Sequence, residues 1–485
     1  MKSLLLALVC AGAAIGKSAV LAATPPLEPD SLEQEGRFRE AGELFDRRLR
    51  APGLSEQERR DLEFERERLD RIRRDYPYTL ETLYPVIHDA VAGLTRAEFD
   101  GWVRDGWFDS REIEGVRRFM GSSVSNLFFR RAELNPRRTP PRSTAALARQ
   151  RWETCVAIQN AARAAHQPYV LPKRFRATMA VDVQADSSPP AGPIRAWLPV
   201  PRRYPFQRDF ALLATSSPVR HLADETSPAR ALYLEQTPVA GSRTRFTAEY
   251  LYTAWGVSFD IHPSEVTLAD PLDPTLEPWL REAPHVVFTP AVRELSRQIL
   301  AGETNPAVKA RKCFEWIADN IRYSYAVEYS TIRNISDYCL THRYGDCGQE
   351  ALLFITLCRL NGVPARWQSG WNTFPGEHTI HDWAEIYLAP YGWVPVDPYM
   401  GVFAMRYADG LAPEQRRLIR DFHFGGLDQY RMSANSDHSQ ILQPAKSAPR
   451  SDNVDFQRGE VESGGKNIYF DRFSYSLTVS EQATP

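Results

Sequence analysis

Residues 344–349 read Tyr344-Gly345-Asp346-Cys347-Gly348-Gln349, and the run from Glu350 to Leu360 that follows is nearly all apolar. Asp346 is a good helix N-cap, and Gln349 stands three residues on, where a capping box returns its hydrogen bond. Cys347 is then the first helical residue, where free N–H groups and the helix dipole favour a thiolate and could cradle an oxyanion. Asp346 is itself negative and works against that, so an imidazolium partner is needed. Ala351 to Leu357 are apolar on almost every side, as in a helix buried within a core, and Asn361-Gly362 ends it. Cys358, farther along this helix, reads as an inert core cysteine.

Outward from this helix the period changes to two. Strands are expected at Val363–Trp371, His381–Leu388 and Trp393–Asp397. In the second, His381, Trp383, Glu385 and Tyr387 share a face. His381 is the candidate base, and Asp397 the group that orients its ring. His378 could pair with His381 on a metal, but no cysteine or carboxylate spacing completes such a site. Register decides whether His381 and Asp397 can meet. A four-residue turn Ala389–Gly392 would pair 388 with 393 and point Asp397 to the opposite face. An odd loop of three or five residues, or a bulge near Pro395, is therefore expected.

Taken together, Tyr344-Gly345-Asp346-Cys347-Gly348, Gly362-Val363-Pro364-Ala365-Arg366, His381-x-Trp383-x-Glu385 and Trp393-x-Pro395-x-Asp397-Pro398 closely resemble the core of the transglutaminase-like superfamily. Ile321-Arg322-Tyr323 upstream is similar too. The likeness spans roughly Pro284 to Gly401. It implies a papain-like α+β core, with Cys347 as nucleophile, His381 as general base and Asp397 as orienting acid. The tail from Arg450 to Glu462 and the β segment before the core look like those of bacterial secreted members without an assigned substrate. No calcium loop of the animal cross-linking enzymes is recognisable, so the resemblance leaves the reaction open between amide hydrolysis, amine transfer and a non-catalytic binding module.

The rest of the chain sets bounds. Its 485 residues suffice for about three domains. At 43% hydrophobic and 25% charged it is ordinary globular protein, and a formal net charge of −2 gives no field to gather nucleic acid. Lys2, the apolar run Leu4–Gly16 and the small pair Ala22-Ala23 read as a signal peptide. That run is too short to span a bilayer, and Val9 before Cys10 argues against a lipoprotein. Export would leave Cys155, Cys313, Cys339, Cys347 and Cys358, an odd number that points to one reactive thiol.

The organisation expected is a signal peptide over 1–23, a helical domain over 24–168, a β-sandwich-like domain over 169–270, the catalytic core over 271–425 and a loop-and-strand extension over 426–485. In the helical part, Glu33–Leu49 and Glu56–Ile72 form a hairpin broken at Ala51-Pro52-Gly53, and Phe99–Trp107, Val116–Leu127 and Thr144–Ala165 read as further helices. The fold class is α+β. The function expected is secreted or periplasmic cysteine-dependent acyl chemistry on a protein or peptide-like amide, without cofactor, metal or stable membrane insertion. Hydrolysis is preferred, because Trp367, Trp371, Trp383 and Trp393 read as core packing rather than as the walls of a water-excluding tunnel.

Overall fold

The computed structural model describes residues 28–187 and 192–483, so the signal-peptide reading lies outside the described residues. The chain is a mixed helix-and-sheet protein. Its N-terminal part is helical, but two expectations need correction. Glu33–Leu49 is broken at Gly36, whose φ of 76° ends one helix at Gln34 before the next spans Phe38–Leu49. Val116–Phe119 is a strand rather than helix, paired with Ser110–Ile113. The two-residue turn Glu114-Gly115 has φ of 52° and 71°, the left-handed conformation that a tight hairpin requires. Ser55 and Glu58 form a capping box at the start of the long Glu56–Asp75 helix.

Two sheets pack into a sandwich. Strands Tyr169–Val183 and Thr244–Ser258 are central to one, and Ile194–Pro199 and Ala231–Gln236 to the other. Phe175, Val181, Leu198, Leu234, Phe246 and Tyr250 are buried between them. The C-terminal segment completes both layers. Phe473–Gln482 runs antiparallel along Tyr169–Val183, and Glu460–Ser463 pairs with Ile194–Pro199.

The core that carries Cys347 is a four-stranded antiparallel sheet ordered Gly392–Val396, Glu377–Leu388, Ala365–Phe374 and Arg431–Asn435. Helix Cys347–Leu360 packs on one face of it. Leu352, Leu353 and Leu357 are fully buried in one cluster with Ala365, Trp367, Ala384, Ile386, Val394 and Val396. Truncating any of these leucines to alanine costs about 2–5 kcal/mol. The even-numbered residues of Glu377–Leu388 therefore face the helix, and the odd-numbered ones face away.

Leu388 pairs with Gly392, so the connecting loop is the three residues Ala389 to Tyr391. This is the odd loop that the sequence called for. Continuing that register one step beyond Ala384↔Val396 sets Asp397 on the face that carries His381.

Candidate active site

Asp346 caps the helix as expected. Its carboxylate accepts from the Gln349 N–H at 3.1 Å, and Gln349 Oε1 accepts from the Asp346 N–H at 3.2 Å. Cys347 is the first helical residue and is half-buried, whereas Cys155, Cys313, Cys339 and Cys358 are buried. Gly348 is needed next to it: a Cβ there would overlap the Tyr329 hydroxyl and lie 2.7 Å from Asp382 Oδ2.

His381 Nε2 lies 2.8 Å from Asp397 Oδ2. Arg431 Nη1 donates to the same oxygen at 2.8 Å, and Asp397 Oδ1 caps the following helix by accepting from Met400 N at 3.1 Å. Burial would raise the Asp397 carboxyl, but the charges of His381 and Arg431 overcome it and hold the group well below the usual carboxylate range. An ionised Asp397 can only accept, so the proton on the ring is assigned to Nε2, leaving Nδ1 as acceptor in the neutral tautomer. The ring is held between Trp383, stacked at 5.6 Å, and Tyr399, edge-on at 5.3 Å. Nδ1 makes no hydrogen bond among the described residues.

The structure thus joins His381 to Asp397. The partner of the Cys347 thiol, however, is Asp382, with Sγ donating to Oδ2 at 3.5 Å. Asp382 was missed in the sequence, although alternation gave a signal. If His381, Trp383 and Glu385 share one face, then Asp382, Ala384 and Ile386 share the other, and the small apolar pair marks the side that packs on the helix.

Three further residues of the site come from the C-terminal tail. Gln457 Nε2 donates to the His381 carbonyl at 2.7 Å and to Asp382 Oδ1 at 2.6 Å. Asp455 accepts from the Ser369 hydroxyl and is close enough to Asp382 for the two carboxyls to interact directly. Arg458 is neutralised by Glu328 at 2.6 Å and Asp452 at 3.1 Å.

These neighbours correct the expected thiol electrostatics. Burial, then the charges of Asp382 and Asp346, push the Cys347 thiol well above its usual range, against the direction in which a helix start acts. Burial likewise raises Asp382 well above the carboxylate range, and lifts Asp346 and Asp455 to about 6. One helical turn on, Glu350 is fully buried with neither oxygen hydrogen-bonded among the described residues, so its carboxyl is also driven far up.

A cavity of about 310 Å³ opens beside Sγ, walled by Tyr323, Tyr329, Asp346, Asp382, Asp455 and Arg458 among others. Among the described residues, Trp367, Trp371, Trp383 and Trp393 do not line it, and neither does His381.

Residues 293–398 match the family described as the transglutaminase-like superfamily. The chain therefore carries a domain of that superfamily, in the segment that holds Cys347, His381 and Asp397. A Haemophilus influenzae protein named only as uncharacterised is 26% identical over 219 residues, which make up 40% of this chain and 59% of that one. The Bacillus subtilis protein YebA, also uncharacterised, is 26% identical over 131 residues, 23% of this chain and 17% of that one. The chain thus spans less than two thirds of the length of either curated relative. Among solved structures, a candidate cysteine protease of Cytophaga hutchinsonii is similar at 15% identity with a TM-score of 0.43, covering 65% of this chain and 93% of that one. The periplasmic domain of TgpA from Pseudomonas aeruginosa is similar at 16% identity with a TM-score of 0.26, covering 49% of this chain and 91% of that one.

Proposed function

We propose that this protein is an exported cysteine hydrolase of peptide, isopeptide or side-chain amides, with Cys347 as nucleophile, His381 as general base and Asp397 as the residue that orients it. The observation that carries the reading is the 2.8 Å contact between His381 Nε2 and an ionised, buried Asp397, on the strand whose backbone passes the start of the Cys347 helix. A base oriented by a third group, beside a nucleophile at a helix start, is the arrangement acyl transfer needs.

On substrate binding Nδ1 takes the thiol proton as the S–C bond forms and the carbonyl electron pair moves to oxygen. Catalytic hydrogen bonds commonly tighten only in the complex, and the resting bond to Asp382 must open first. Collapse of the tetrahedral intermediate breaks the C–N bond, the amine leaves with a proton, and water resolves the thioester.

Water is the favoured acceptor because the cavity wall is tyrosine and carboxylate rather than tryptophan, and polar walls do not exclude bulk water. Amine transfer is the second reading. The Lys2 to Ala23 pattern supports export.

The test offers glutaminyl and peptide substrates together with a fluorescent primary amine at millimolar concentration. Ammonia or new termini without label, lost in Cys347→Ala, are expected. Efficient label incorporation would promote the transferase, and activity that survives Cys347→Ala would end the thiol reading.

A further inference from the structure

Among the described residues, Asp382 is the only carboxylate hydrogen-bonded to Sγ, and it lines the cavity beside that sulfur. His381 does not line that cavity; its ring lies between Trp383 and Tyr399 and its Nε2 is committed to Asp397, which leaves Nδ1 alone to take the thiol proton. An amide seated beside Sγ would present its leaving nitrogen to Asp382 Oδ2, 3.5 Å from the sulfur.

Resting on the reading of Cys347 as nucleophile, we infer that Asp382 is a further catalytic residue, the acid that protonates the leaving amine and then the base that activates water. In acylation the thiol proton goes to His381, and the Asp382 proton goes to the amine nitrogen as the C–N bond breaks. In deacylation Asp382, now ionised, removes a proton from the attacking water. The S–C bond then breaks and the sulfur recovers its proton from His381. Each group ends the cycle as it began.

The surroundings suit that role. Gln457 fixes Oδ1 at 2.6 Å, and the Tyr329 hydroxyl reaches Oδ2 at 3.3 Å, so the side chain is held with one oxygen toward sulfur. The charged and titratable groups facing it are Asp455, Asp452 and Arg458 from the tail, Asp346 and Cys347 from the helix start, and Glu328 and Tyr329 from the turn across the cavity. Arg458 is matched by Glu328 and Asp452, and no cation pairs with Asp382, Asp455 or Asp346 among the described residues. Burial and these like charges raise the Asp382 carboxyl well above its usual range and so favour the protonated form, the one that can give a proton to a leaving amine.

The experiment uses p-nitrophenyl acetate, whose leaving group needs no acid, and reads the acylation burst and the later steady rate separately. In Asp382→Asn the burst at Cys347 should persist, while deacylation slows by about 100-fold or more. The rise of the wild-type deacylation rate with pH should vanish in this variant, and Asp382→Glu should restore part of the rate. In Asp455→Asn, loss of the neighbouring negative charge lowers the Asp382 pKa, so the limb should move to lower pH. That variant decides the matter if Asp382→Asn does not fold. Equal slowing of burst and steady rate, an unchanged steady rate, or a pH limb indifferent to both variants would overturn the role of Asp382 and leave Cys347 in place. A wild-type burst that survives Cys347→Ala would instead overturn the thiol reading, and this one with it.

Discussion

Arg431 Nη1 lies 2.8 Å from Asp397 Oδ2, the oxygen that also faces His381 Nε2. The guanidinium is buried, and Asp428, at 3.1 Å from Nη2, is its second counter-charge. The orienting carboxylate is thus part of a charged chain running through the sheet, and its ionisation does not depend on the histidine alone.

Arg431→Leu should therefore lower stability at pH ~7 by about 3–5 kcal/mol, since it takes a buried counter-charge from two buried carboxylates and leaves Asp397 to His381 and Asp428 to Arg151 at 3.9 Å. Asp397 has a depressed pKa in the folded protein. Its stabilisation is present above the ordinary carboxylate value of about 3.9 and is lost as pH falls through the folded value. Without Arg431 the folded value rises, so acid unfolding should begin at higher pH. Urea titrations across pH 3–7 check both effects, and superposable wild-type and variant curves would refute them.

Glu350 gives the opposite sign. Its folded pKa is raised, so the stability it allows is complete below the unfolded value of about 4.3 and declines as pH rises toward the folded value. Glu350→Met should be more stable at pH 7 by about 1–3 kcal/mol, the penalty of an unsatisfied buried polar group, and should flatten that decline. Calorimetry at several pH values measures it; a less stable variant at pH 7 would show that Glu350 has a partner.

Cys347 should be the first thiol alkylated by iodoacetamide, because the other four described cysteines are buried and Cys313, for one, is pushed up to about 12. Its own raised pKa means that labelling is slow at pH ~6 and still climbing past the ordinary thiol value of about 8.5. Mass spectrometry of the labelled peptides reads the order. Equal labelling of Cys155 or Cys339 would sink the claim.

Gly348→Ala should abolish turnover while leaving most of the fold intact. The added Cβ meets Tyr329, Asp382 and Trp367 together, and Trp367 is fully buried and cannot give way. Overpacking of this kind costs about 1–3 kcal/mol. A variant with wild-type activity would mean that the helix start is looser than described.

Much of this site was legible because its determinants are local. The Asp346–Gln349 box, the apolar helix behind it and the alternation of Glu377–Leu388 are patterns within a dozen residues, and the odd loop follows from requiring His381 and Asp397 on one face. Reading the same alternation for its other face would have delivered Asp382. The surroundings of the thiol are legible only in part: Asp346 is its neighbour in sequence, whereas Asp382 arrives from a strand 35 residues on. Asp455, Gln457 and Arg458 carry no local signal, since a polar, turn-rich stretch looks the same whether it is solvated or buried. The Val116–Phe119 strand was lost to a helical reading because its deciding feature is the two-residue turn at Glu114-Gly115, not the composition of the strand.

The tail that delivers Asp455 and Gln457 to the thiol also leads into the strand that pairs with Tyr169–Val183, some 300 residues earlier in the chain. During synthesis, as the N-terminal parts fold first, the thiol emerges well before the residues that enclose it. A chain clipped ahead of Asp455 would hold Cys347, His381 and Asp397 without Gln457 to fix the backbone beside the thiol, so the enclosure of that thiol depends on a segment made long after it.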